Sequence, residues 1–226
     1  VLLISCNPSI IYLLRSLFPK MNSRELVDHI RSGPAELVLD NALPRFRRRT
    51  RSNPCDFNEF LQALQSSETI RSVQCASYLE LEISEDDWVL LVKTIGRITD
   101  IKNLNLCCTN GSRDFVPFWA IAKAVQSSHT LCELRIDLPC VTTTGDPSGL
   151  NALANALREH KVLQEFIWAD LCARPEAAQI AALDHVIRAL PACLHLRSVT
   201  IITKSASAGA ITNLLQLPKA TKLSLN

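Results

Sequence analysis

Short apolar clusters recur along the chain in one form: an apolar residue, two others, an apolar residue, one other, and a third apolar residue. The form is read in AELVL at 35–39, IRSVQC at 70–75, IKNLNL at 101–106, LCELRI at 131–136, LQEFIW at 163–168, LRSVTI at 196–201 and TKLSL at 221–225. Alternation over so short a span predicts a strand. The central apolar residues are Leu37, Val73, Leu104, Leu134, Phe166, Val199 and Leu223, at steps of 36, 31, 30, 32, 33 and 24 residues. A step that stays near 30 through the middle of the chain is the mark of a structural repeat.

Ahead of these clusters the period changes to that of a helix. Phe57, Phe60, Leu61 and Leu64 fall at i, i+3, i+4 and i+7, as do Trp88, Leu91, Val92 and Ile95. Phe118, Ile121, Ala122 and Val125 follow, then Leu150, Leu153, Ala154 and Leu157. Looser versions are Ile180, Leu183, Ile187 and Leu190, and Ile211, Leu214 and Leu215. Helix starts are read at Asp56, at Ser84 with acidic residues 85–87, at Asp114 with Pro117, and at Ser148; Pro191 and Pro218 mark stops. Ser9 to Phe18 also reads as an amphipathic helix.

Each unit is therefore a helix, a tight turn and a strand, and neither element buries its apolar face alone. Stacking the units lines the strands up in a parallel sheet with the helices as a second layer. A helix is about 10 Å wide and strands are about 4.8 Å apart, so the stack must curve, with helices on the convex side. The expected fold is an α/β horseshoe solenoid of about six to seven irregular repeats. Residues 1–34 are expected to form an N-terminal helical cap or the start of the first repeat. Residues 35–226 are expected to form the repeat domain, cut short at its C-terminal end.

The units LANALREHKVLQEFIW (153–168), IAKAVQSSHTLCELRI (121–136) and FLQALQSSETIRSVQC (60–75) resemble leucine-rich repeats of the ribonuclease-inhibitor-like class. The resemblance extends over roughly residues 35–226 and implies that fold. The Asn or Cys that the family places just beyond the strand is here Tyr78, Thr109 or Pro139, so irregular loops are expected above the sheet, with 140–149 bulging there.

Alternation divides each strand between two faces. The core-facing set is the apolar one. The other set is expected to line the concave groove: Glu36, Val38, Asp40; Ser72, Gln74, Ala76; Asn103, Asn105, Cys107; Glu133, Arg135, Asp137; Glu165, Ile167, Ala169; Ser198, Thr200, Ile202; and Lys222, Ser224. Five acids face two bases there, while the whole chain, with 24 Lys and Arg against 22 Asp and Glu, is at +2. An acidic groove on a slightly basic chain fits a protein partner with a basic patch.

Composition narrows the remaining classes. The chain has 226 residues, 47% of them hydrophobic and 20% charged, which is ordinary for a globular protein. Near-neutral charge excludes a strongly basic nucleic-acid binder. Six glycines argue against a phosphate-cradling loop or a turn-rich sandwich. The nine cysteines form no C-x-x-C pair and read as reduced, mostly buried thiols of an intracellular protein. No apolar run reaches the length of a membrane span, and reduced thiols make the expected location cytoplasmic, with the nucleus as the alternative.

One charged segment stands apart. PRFRRRTR (44–51) holds Arg45, Arg47, Arg48, Arg49 and Arg51. Such a cluster is a solvated loop, a grip for phosphate or carboxylate, or a nuclear import signal. With no aromatic array beyond Phe46, nucleic-acid stacking is not expected.

Catalytic signatures are missing: no G-x-S-x-G, P-loop or H-E-x-x-H is present. Gly145 to Gly149 reads as a turn, and Cys193-Leu-His195 has no companion pair for zinc. His129 and His160 fall at similar places before two strands and read as turn residues. Trp88, Trp119 and Trp168 read as packing residues. The expectation is a non-catalytic protein-binding module, with no cofactor, small-molecule substrate or membrane. Two other classes remain: a GTPase-activating-type regulator of a small GTPase, which one branch of the resembled family implies, and a substrate-receptor subunit of a ubiquitin ligase. The latter needs an adaptor-binding motif ahead of the repeats, and residues 9–32 are helical in pattern but carry none.

Overall fold

The computed structural model describes residues 23–39, 57–76, 84–107, 118–137, 147–170, 177–203, 207–217 and 221–225. Helices and strands alternate along these segments. The helices are α1 (Ser23–Arg31), α2 (Phe57–Gln65), α3 (Glu85–Ile95), α4 (Phe118–Ser127), α5 (Pro147–Glu159), α6 (Ala177–Ile187) and α7 (Ala208–Leu215). The strands are β1 (Glu36–Leu39), β2 (Ser72–Ala76), β3 (Asn103–Cys107), β4 (Glu133–Asp137), β5 (Glu165–Asp170), β6 (Ser198–Thr203) and β7 (Thr221–Leu225). The chain is thus α/β, with one parallel seven-stranded sheet in the order β1-β2-β3-β4-β5-β6-β7.

Register joins the central apolar residues into one row: Leu37, Val73, Leu104, Leu134, Phe166 and Val199 are successive partners. The last strand differs from expectation. Leu223 pairs with Ile201, and Thr221 pairs with Val199. The slip is two residues, an even number, so the pairing of β7 stays in phase with the sheet.

Parity decides burial. Leu37, Leu39, Val73, Cys75, Leu104, Leu106, Leu134, Ile136, Phe166, Trp168, Val199 and Ile201 are buried. They share one core with inward residues of the helices, among them Phe60, Leu64, Leu91, Ile95, Ile121, Val125, Leu153, Leu157, Leu183 and Ile187. Burying side chains of this size contributes about 1.5–3 kcal/mol each before entropy is counted. Within this layer the Trp168 ring stacks on Phe118 at a centroid distance of 6.0 Å.

Successive units also share a backbone device. The carbonyls of Ala35, Arg71, Lys102, Cys132 and Gln164 each accept two N–H groups from the next unit. The ten bonds run from 2.7 to 3.1 Å, and the donor pairs are Arg71 and Ser72, Lys102 and Asn103, Cys132 and Glu133, Gln164 and Glu165, and Arg197 and Ser198. Each pair enters its strand at the same register position, so β2 to β6 are each set on the preceding strand in the same way.

Helix termini follow the expected chemistry in part. Ser84 caps α3, its hydroxyl accepting from the Asp87 N–H at 3.1 Å. Ser148 is inside the first turn of α5, because Pro147 is already helical; proline suits that first position, where no N–H is needed. Gly33 ends α1 with φ at +86°, a conformation that suits glycine. Gly96 follows α3 for another reason: α4 passes so close that a Cβ there would meet Ala124 Cα at 2.4 Å.

Candidate functional site

The side of the sheet away from the helices carries the polar members of each strand. Its rows follow from the register. One row is Glu36, Ser72, Asn103, Glu133, Glu165 and Ser198; the next is Val38, Gln74, Asn105, Arg135, Ile167 and Thr200. Glu36 is exposed and the others are half-buried. Parallel neighbours stand about 4.8 Å apart, so each row is a continuous strip.

The middle of this face is charged. On β4 the Nε of Arg135 donates to both carboxylate oxygens of Asp137, at 3.0 and 2.9 Å. The pair has about a quarter or less of its side-chain surface in solvent. Burial raises the Asp137 pKa, and the Arg135 charge and hydrogen bond oppose that rise. Glu133, two residues before Arg135, stands directly opposite Glu165 on β5. Burial raises the Glu133 pKa first, and the Glu165 charge adds to it; Arg135 works in the opposite direction. The Ser198 hydroxyl donates to Glu165 Oε1 at 3.5 Å. Like charges facing each other across strands are unfavourable, so the Glu133–Glu165 pair keeps an unspent attraction for a cation. Beside it, Asn105 Oδ1 is buried and accepts no hydrogen bond among the described residues.

Glu36, Val38, Gln74, Asn103, Asn105, Glu133, Arg135, Asp137, Glu165, Ile167 and Thr200 are thus on one face, with Glu133, Arg135, Asp137 and Glu165 brought together at its centre. Ala169 is the exception to exposure: it is buried, as a small side chain set between the longer Asp137 and Ile202. Asp40 and Arg45, Arg47, Arg48, Arg49 and Arg51 lie outside the described residues, as do the Ser9 to Phe18 helix and the Tyr78, Thr109 and Pro139 positions. The bonding of Arg135 to Asp137 is a feature that spacing does not reveal; an Arg-x-Asp on a strand face is its only trace.

The remaining candidates divide between those that keep their expected place, His160, Cys193, Trp88 and Trp168, and those that are corrected, His129, Trp119 and Leu215. His160 is buried and is a turn residue: its Nδ1 accepts the Leu163 N–H at 3.1 Å, and Nε2 lies 3.0 Å from the Ser128 carbonyl. With Nδ1 accepting, the proton belongs on Nε2 of a neutral ring, and burial lowers the His160 pKa. His129 is not its equivalent. The 32-residue step from Leu134 to Phe166 matches His160 to Ser128, and His129 is exposed. Trp88 and Trp168 are buried, but Trp119 is 37% exposed on the outside of α4. Leu215 is 82% exposed, so of Ile211, Leu214 and Leu215 only Leu214 is buried. Cys193 is buried, and its thiol donates to the Leu157 carbonyl at 2.9 Å.

Among the described residues no group of three or more His, Cys, Asp or Glu is placed to hold a metal ion. No helix among them is long and apolar enough to cross a membrane. The chain matches no protein-family model, and no curated protein matches it at a significant level.

Proposed function

We propose that the chain is a leucine-rich-repeat horseshoe of the ribonuclease-inhibitor-like class, acting as a non-catalytic module that holds a partner protein against its open sheet face. The observation that carries this reading is the centre of that face, where two facing glutamates offer acceptors to a donor-bearing partner. The partner presents Lys or Arg side chains. The sheet supports the reading in a second way: side chains fixed on a hydrogen-bonded sheet lose little entropy on binding. Regular register and the recurring two-donor carbonyl support the solenoid.

The test is affinity capture with mass spectrometry on the wild-type chain beside Glu133→Gln/Glu165→Gln. Proteins retained by the first and released by the second are then purified. Their affinity is expected to fall with added salt and with substitution of their own Lys or Arg residues. If the double variant retains the same proteins with the same affinity, the open face is not the binding face.

A further inference from the structure

The convex side carries a second surface of opposite character. Trp119 on α4 and Leu90 on α3 are 37% and 43% exposed, and both are large. They are joined by Lys93, whose Nζ lies 4.4 Å from the centroid of the Trp119 ring. Lys93 is one turn beyond Leu90, and Arg97 one turn beyond Lys93; Lys123 is one turn beyond Trp119. Lys93, Arg97 and Lys123 gather around the indole, while the acids Glu85, Asp86 and Asp87 are at the other end of α3.

The fold itself does not require this patch. The helices repeat at the same steps as the strands, so Asn58 on α2 and Asn151 on α5 are the counterparts of Trp119. Both are exposed. A small polar side chain therefore fills that position in α2 and α5, while in α3 it is held by Val89, which is buried. Lys93 and Lys123 are counterparts of each other, while Gln62 and Asn155 occupy the position in α2 and α5. Cations and exposed apolar groups thus coincide on α3 and α4.

We propose that the outer face of α3 and α4 is a docking surface for an acidic peptide segment of another protein, anchored by an apolar side chain on Trp119 and Leu90. Complementary charge selects the occupant: carboxylates of the segment meet Lys93, Arg97 and Lys123 on either side of the indole. Tryptophan held by a neighbouring cation is a preset anchor, the type of residue on which interface energy concentrates. This surface is separate from the open sheet face, and its partner has the opposite charge.

Random short peptides displayed on phage are selected on the wild-type chain and counter-selected on Trp119→Asn, the residue that α2 and α5 carry there. The selected peptides are expected to combine Asp or Glu with Leu, Phe or Trp. A synthetic copy is expected to bind the wild type at least about ten-fold more tightly than Trp119→Asn. Lys93→Gln/Lys123→Gln, which keeps the indole, is expected to lose binding as well, and Glu133→Gln to retain it. Unfolding midpoints of all variants are measured beside binding; if Trp119→Asn is less stable, the lysine variant carries the decision. The proposal is overturned if no peptide is selected, if the peptides are not acidic, or if both variants bind them as the wild type does. Vesicles of phosphatidylcholine and phosphatidylserine form the other arm. Sedimentation with them that depends on Trp119 would assign the surface to a membrane instead.

Discussion

Substitution of Gly96 by alanine tests the tightest approach at any described glycine. The added Cβ would be 2.4 Å from Ala124 Cα, 2.7 Å from Ala124 O and 2.8 Å from Ala124 Cβ. Two of the three are backbone atoms, so no rotamer change relieves the overlap. Since φ at Gly96 is −63°, alanine meets no backbone strain there, and the whole effect is steric. Ordinary contact begins near 3.4 Å. The two helices must therefore separate by about an ångström, which loosens Leu91, Ile95, Ile121 and Val125 beneath them. Overpacking costs about 1–3 kcal/mol, and a clash on rigid backbone belongs at the upper end. At about 2–4 °C per kcal/mol for a chain of this size, the melting midpoint should fall by about 6–12 °C. Urea unfolding followed by circular dichroism measures the loss. Ala124→Gly in the same background removes only the Cβ partner, so it should restore little. Gly209→Ala is the control: the nearest atom is Ser207 Oγ at 3.6 Å, and stability should hold or rise by up to about 1 kcal/mol. A Gly96→Ala protein within about 0.5 kcal/mol of wild type, the usual range of neutral surface changes, would refute the close-packed junction.

Leu134→Asp puts an unpaired carboxylate on the fully buried side of β4 and is expected to cost several kcal/mol, read by the same denaturation. Arg135→Gln tests the other face: it leaves Asp137 without its charged partner, so a loss of about 1–3 kcal/mol is expected, where a freely solvated arginine would give none. His160 titrates below its unfolded value because burial disfavours the charged ring, so the unfolded chain takes up protons first on acidification. Its share of stability is present above the unfolded pKa and is lost as pH falls below it. The wild type should therefore lose more stability than His160→Asn between pH 7.5 and 5.5, about one unit on either side of an ordinary histidine. Burial pushes the Cys193 thiol up to about 11, and iodoacetamide should leave it unlabelled in the native protein at neutral pH, as site-resolved mass spectrometry would read.

Strand phase was legible because the core set of each strand is almost wholly apolar, while the other set holds nearly all the polar residues and only a few apolar ones such as Val38 and Ile167. Only Leu134 and Ile136, not Glu133 and Arg135, can face the helices. The β7 register was less legible for the same reason: in TKLSL, alignments two residues apart put the same side chains on the core side, and only the backbone pairing of Thr221 with Val199 separates them. Trp119 was misread because apolar character was taken as burial. Its position holds the exposed Asn58 and Asn151 in α2 and α5 but the buried Val89 in α3, so apolar character alone does not decide exposure there. His160 shows the converse, a polar ring taken inside because a turn N–H and a neighbouring carbonyl satisfy both nitrogens. The acidic cast of the open face could be read from alternation, but the Arg135–Asp137 pair and the Glu133–Glu165 opposition depend on side-chain geometry and on which strands adjoin.

The residues whose carbonyls clasp the following unit are an alanine, an arginine, a lysine, a cysteine and a glutamine. They have no side-chain chemistry in common, because only main-chain atoms take part. Mutation can therefore wander freely through these places without disturbing how one strand is laid on the next. Proline alone is barred wherever an amide hydrogen must be given. The geometry of such a sheet can outlast nearly all resemblance between its strands.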